Sequence, residues 1–136
     1  MAKVATNGST TNSSYASGHV KMRRWISDDE GGGYYQYSST GATITGTVRA
    51  NTQSFVKING QNIAVNGDNV SEKDSYSIPS GWYGYDNHST GTGKVTGGSS
   101  FVFINGSAVA NTDSSVRTHA GTTTTIKDGS DFVYIS

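Results

Sequence analysis

Residues 54–64 read S-F-V-K-I-N-G-Q-N-I-A, and residues 100–110 read S-F-V-F-I-N-G-S-A-V-A. The second copy follows the first by 46 positions without a gap, and it keeps Phe, Val, Ile, Asn, Gly and Ala in place. Residues 131–135, D-F-V-Y-I, begin a third copy and stop part-way through it. Each copy has a short lead-in, at 43–46, 94–97 and 125–129. An internal repeat of this kind outranks single-segment signals in setting the architecture.

Drawn as an extended segment, the first copy puts Phe55, Lys57 and Asn59 on one face and Val56 and Ile58 on the other. In the second copy Phe101 and Phe103 share one face, Val102 and Ile104 the other. Asn59-Gly60 and Asn105-Gly106 follow, and then the apolar pairs Ile63-Ala64 and Val109-Ala110. A β-rich run, Asn-Gly and a second β-rich run predict a tight hairpin, because both central turn residues take φ > 0. Each repeat is thus a lead-in strand plus a hairpin. Two copies and a fragment predict a pseudo-symmetric object rather than a generic meander.

A length of 136 residues suits one domain covering 1–136. Apolar content is only 32 %, with 18 glycines, but the net charge is zero and 10 % of residues are aromatic. That balance favours a thin, loop-rich all-β fold over disorder. No apolar period of 3.6 residues is sustained, so little or no helix is expected. Ten basic against ten acidic residues give no reason to propose nucleic acid or an anionic membrane as a partner. The absence of cysteine excludes disulfides and thiolate metal sites. So small a core then needs a metal, a partner or oligomerisation. Residues 1–11 lack the apolar stretch of a signal peptide, and no segment is apolar enough to span a bilayer.

Two stretches stand outside the repeats, at about 21–40 and 71–87. The first carries Lys21, Arg23 and Arg24 beside Trp25, an acidic turn at 28–33, and then Tyr34, Tyr35 and Tyr37. It reads as a hairpin or a long surface excursion, with the cations expected to pair with the acidic turn. The second reads as an irregular insertion rich in aromatics, Tyr76, Trp82, Tyr83 and Tyr85, with the one proline, Pro79. Packing over a thin core is the first expectation for those rings.

The chain has three histidines, His19, His88 and His119, and each lies in a segment connecting the repeated units. If the repeats surround a common axis, these connections converge at one end of it. Three neutral imidazoles at one point make a first shell for Zn²⁺ or Fe²⁺, with a fourth ligand still to be found.

A phrase of the form G-S-x-x-V-x-I-N-G-x-x-x-A, recurring with Gly-Asp after it and histidines in the connections, resembles a PAAR-repeat protein. Here it is carried by residues 54–64 with Gly67-Asp68, by 99–110 with Asp113, by 129–135, and by the lead-in 41–46. The resemblance covers roughly 41–70 and 88–136, the first 20 residues weakly, and 21–40 and 71–87 not at all. It implies a small cone-shaped β-fold with pseudo-threefold symmetry. Such a cone caps the trimeric β-helical spike of a contractile injection machine, whether phage tail, tailocin or type VI secretion system. The family holds one metal ion near its vertex, typically on three histidines and a cysteine. By position His19, His88 and His119 take the histidine role. The missing cysteine leaves the fourth ligand to water or to a carboxylate such as Asp86, Asp74 or Glu72.

The same resemblance implies a structural tip without catalytic residues, seated one per spike trimer and making transient contact with a target-cell envelope. The protein would then belong to a phage tail or other contractile particle, delivered extracellularly or into the target cell. Spike contact is expected among Phe55, Ile58, Phe101, Ile104, Phe132 and Ile135, residues that serve equally well as core. Two rival readings come from other classes. One is a carbohydrate- or surface-binding β-module using the aromatic loops. The other is a zinc hydrolase with an open fourth metal position.

Overall fold

Asn59 and Asn105 take φ of 51° and 50°, and Gly60 and Gly106 take 81° and 83°, in the computed structural model, which describes residues 1–135. Both repeats therefore turn as their Asn-Gly pairs dictate. The fold is all-β, with no helix among the described residues. Its strands are β1 (Ala2–Lys3), β2 (Ser14–Ser27), β3 (Gly33–Arg49), β4 (Lys57–Ile58), β5 (Gln61–Asn62), β6 (Asn69–Ser75), β7 (Tyr83–Gly84), β8 (Thr90–Val95), β9 (Phe103–Ile104), β10 (Ser107–Ala108), β11 (Ser115–Arg117), β12 (Thr123–Thr125) and β13 (Tyr134–Ile135).

Two of the three small hairpins are β4–β5 and β9–β10; the third is made by β13 with β1, from opposite ends of the chain. Ile58 pairs with Gln61, Ile104 with Ser107, and Ile135 with Ala2. Residues 2–5 thus complete the third repeat that residues 131–135 begin. The equivalence extends to the axis, where a ring of backbone bonds closes. Ala5 N–H donates to Ala110 C=O, Ala110 N–H to Ala64 C=O, and Ala64 N–H to Ala5 C=O, each at 2.9 Å. A second trio repeats the pattern: Ile63, Val109 and Val4 donate to the carbonyls of Val56, Val102 and Val133. In a third, Asp68, Ser114 and Ser9 accept with their side chains from the N–H groups of Val65, Asn111 and Thr6.

Three longer hairpins, β2–β3, β6–β8 and β11–β12, alternate with the small ones along the chain. They form an antiparallel sheet in the order β12-β11-β8-β6-β3-β2-β7. The sheet curls until the lead-in to β2 meets β12, through a bridge from Thr11 to Ile126 and the bond from Asn12 N–H to Thr125 C=O. Curling leaves no free edge at that level, where an open strand would invite a partner chain.

The core is a stack of thin layers. Val4, Ile63 and Val109 form one, with Ile58, Ile104 and Ile135 packed against it. Ala5, Ala64 and Ala110 form the next with Val48, Val95, Ile126, Val70 and Val116. Ala16, Val20, Ala42 and Ile44 make the last, under Tyr76, Ile78 and Ala120. Side chains this small fit an axis too narrow for a conventional core. A Cβ on Gly46 would stand 2.6 Å from Val70 Cγ1.

Two sequence expectations need correction. The stretch 71–87 is not irregular throughout, because 71–75 continue β6 in register with β3 from Ser71–Thr47 to Ser75–Thr43. The period of two is present, but its buried positions are Val70, Glu72 and Asp74, so carboxylates conceal the pattern. Nor do the cations at 21–24 pair with the acidic turn. Asp28 accepts instead from the N–H groups of Glu30 and Gly32, closing the turn on itself. Arg23 lies over Tyr35 and Arg24 over Trp82. The stretch 21–40 is the outer part of the β2–β3 hairpin.

Candidate metal centre

Each long hairpin brings one histidine to the end of the axis remote from the small hairpins. His19 is aimed there by a β-bulge, where the β2–β3 register shifts between Ala16 and Val20. Gly18, at φ +72°, supplies the left-handed residue that such a bulge favours. His88 stands just ahead of β8. His119 sits in the β11–β12 turn, which Thr118 and Thr122 close with a 2.8 Å backbone bond and a 2.7 Å contact between their hydroxyls. The three ring centres are 5.0, 5.4 and 5.1 Å apart, nearly an equilateral triangle.

Asp74 reaches all three imidazoles and is buried. Its Oδ2 is 3.0 Å from His19 Nε2 and 3.2 Å from His88 Nδ1, and its Oδ1 is 2.7 Å from His119 Nε2. One donor atom from each of these four residues lies within 4.8 Å of the others. Asp86, the other aspartate considered for this place, is instead exposed and 3.6 Å from Lys21.

Glu72 stands one layer behind, with its Oε1 2.7 Å from both the backbone N–H and the ring Nδ1 of His119. A carboxylate there holds the proton on Nδ1 and leaves the Nε2 lone pair facing Asp74. Two glycines of β8 make the room. A Cβ on Gly91 would collide with the His119 ring, and one on Gly93 would come within 2.7 Å of Glu72 Oε2.

The donor set fits a metal ion. Glu72 Oε2, Asp74 Oδ1 and His119 Nε2 are buried without a hydrogen-bond partner, although the last two atoms are only 2.7 Å apart. Buried polar atoms nearly always find partners, and leaving one without is unfavourable by about 1–3 kcal/mol. A divalent cation on His119 Nε2 and Asp74 Oδ1 removes that deficit for both, and three imidazoles with one carboxylate are a normal set for zinc or ferrous iron. Asp74 and Glu72 give the site two carboxylates to set against a dication.

The residues expected at a partner contact divide into two groups. Phe55, Phe101 and Phe132 are 81, 77 and 73 % exposed. Ile58, Ile104 and Ile135 are partly buried against the first core layer. The β4–β5 hairpin follows Arg49 and precedes Asn69, so Phe55 lies at the opposite end of β3 and β6 from Asp74; β9–β10 stands likewise between Val95 of β8 and Ser115 of β11. The described residues enclose no pocket. They include no helix long and apolar enough to cross a membrane. The chain matches no protein-family model, no curated protein and no solved structure.

Proposed function

We propose that the protein is a metal-pinned structural tip seated on a threefold partner, as the PAAR-repeat resemblance implies: the cap of a trimeric β-helical spike in a contractile injection machine. The observation that carries this reading is one chain with threefold-equivalent ends. Its Phe55-Val56, Phe101-Val102 and Phe132-Val133 pairs stand exposed at the end away from the histidines. Repeated exposed apolar pairs mark an interaction surface, and three equivalent pairs suit a partner with three equivalent subunits. The outer edges of the small hairpins offer such subunits unpaired backbone groups. At the other end, His19, His88, His119 and Asp74 would hold a zinc or ferrous ion. There it would replace the apolar packing that the narrowing axis excludes. Four candidate protein ligands, the full set for a tetrahedral ion, suit a structural site better than a hydrolytic one.

The test is reconstitution with a trimeric β-helical spike protein, read by light scattering during size-exclusion chromatography. One chain per trimer is expected, with loss of the complex when Phe55, Phe101 and Phe132 are all changed to Ser. A spike trimer that leaves the column alone would refute the reading.

A further inference from the structure

The β2–β3 hairpin does not stop at the histidines. Asp74 is paired with Ile44, yet the β2–β3 ladder continues from Val20–Thr40 to Ser27–Gly33, joined along one edge by β7 at Met22 and Arg23. Eleven residues separate Ile44 from Gly33, on the order of 35 Å of strand at 3.3 Å per residue. No residue from 21 to 41 belongs to any of the three core clusters. Of the apolar side chains in that range only Met22 is buried, so most of the ribbon does not pack the body.

One face of it is a row of rings. Trp25 stands edge-on to Tyr35 at 5.1 Å, Tyr35 follows to Tyr37 at 6.2 Å, and Tyr37 to Tyr85 at 5.7 Å. The Arg23 guanidinium lies among them, 4.2 Å from the Tyr35 ring centre and 5.2 Å from that of Tyr85. Gly33 makes room for Trp25, since a Cβ there would fall 2.8 Å from the indole. The rings are held in place and still exposed: 52 % for Trp25, 43 % for Tyr35 and 59 % for Tyr37. Neither Arg23 nor Arg24 pairs with a carboxylate among the described residues. The ring face thus presents fixed apolar surface with a guanidinium that no carboxylate pairs, the ribbon's own acidic residues Asp28, Asp29 and Glu30 being in its turn.

We infer that this face binds a strand of anionic glycan. Aromatic bodies with polar tips suit the mixed apolar and hydroxylated surface of a sugar, and ordering them on binding is inexpensive because neighbours already fix them. Arg23 supplies a planar donor fork for a carboxylate, sulfate or phosphate on the chain. Single-stranded nucleic acid needs open ring faces for parallel base stacking and a cationic groove along its backbone. These rings stand edge to face, and beside them the ribbon offers the guanidiniums of Arg23 and Arg24 rather than a cationic groove.

The probes are acidic tetrasaccharides of three kinds (galacturonate, heparin and oligosialate), with cellotetraose and an oligothymidylate for comparison. Binding is followed by calorimetry and tryptophan emission on the full chain. At least one acidic tetrasaccharide is expected to bind saturably and about tenfold more tightly than cellotetraose. Trp25→Ala and Arg23→Gln should each weaken it about tenfold. Both variants should keep the parent's melting temperature and metal content, since neither residue touches the core or the histidines. Silence from all three acidic probes, affinity equal to cellotetraose, tighter binding of the oligothymidylate, or a response that survives both substitutions would each overturn the inference. None of these readouts involves a spike, so the tip reading stands or falls separately.

Discussion

The backbone N–H of Ala5 donates to the carbonyl oxygen of Ala110 at 2.9 Å, which puts Ala5 in the axial place that Ala64 and Ala110 take in the two full repeats. The threefold ring at the axis exists only because residues from the N-terminus enter it. Val4, the neighbour of Ala5, is buried with Ile63 and Val109 on the same grounds.

Deleting residues 1–5 should therefore abolish cooperative unfolding, although the segment is short and looks like a tail. A permutant that joins Ile135 to Ala2 through Asn-Gly and opens at residues 29–31 should fold, because Ile135 and Ala2 are already paired as Ile58 and Gln61 are. Far-UV dichroism during heating checks both. A deletion variant that melts like the parent would remove the closed ring from the account.

Asp74→Ala should lose stoichiometric metal, measured by elemental mass spectrometry on untagged protein. Where free metal exceeds Kd a thousandfold, bound ion stabilises by about 4 kcal/mol, and the variant forfeits that. Chelation of the parent should lower its melting temperature and leave the variant's unchanged.

Glu72→Gln keeps the shape but weakens the acceptor that holds His119 Nδ1–H. Loss of such an outer partner typically lowers metal affinity 10- to 100-fold, so competition with a chromogenic chelator should report about that range. A shift of less than twofold would mean that Glu72 does not orient the ring.

Gly91→Ala drives a methyl group into the His119 ring. A core overfilled in this way loses about 1–3 kcal/mol, which denaturant titration would resolve. The surface changes Phe55→Ser, Phe101→Ser and Phe132→Ser should each stay within about 0.5 kcal/mol of the parent. A larger loss at the phenylalanines would assign them to the core.

Lys3 and Asp131 join the two ends of the third repeat at 2.6 Å. Hydrogen bonding and the charge of Lys3 lower the Asp131 pKa from 3.8, and Asp131 raises that of Lys3 from 10.5. The lowered acid stabilises above pH 3.8 and loses its effect as pH falls through the folded value. The raised base stabilises below 10.5 and loses its effect as pH rises through the folded value. The pair therefore acts between those limits, weakly, because Asp131 is largely exposed and solvent screens the pair. Lys3→Ala should shift the melting temperature slightly at pH 7 and not at pH 2.

The repeat by itself determined the all-β class, the two Asn-Gly hairpins and the placing of one histidine in each connecting segment, because turn geometry and the period of two are local properties. Residues 2–5 were not legible as the third arm, since A-K-V-A carries the pattern of Q-N-I-A and S-A-V-A without its preceding turn. Glu72 and Asp74 were candidates among several. Their inward alternation behind Val70 was written in carboxylates, which a hydrophobic pattern cannot reveal. Gly91 and Gly93 were ordinary glycines until the His119 ring and the Glu72 carboxylate were seen to lie over them. Only the tertiary structure decided which carboxylate meets the three imidazoles and that the ends of the chain close one ring. Those contacts join residues far apart in sequence, and no local rule fixes which distant groups a curled sheet brings together.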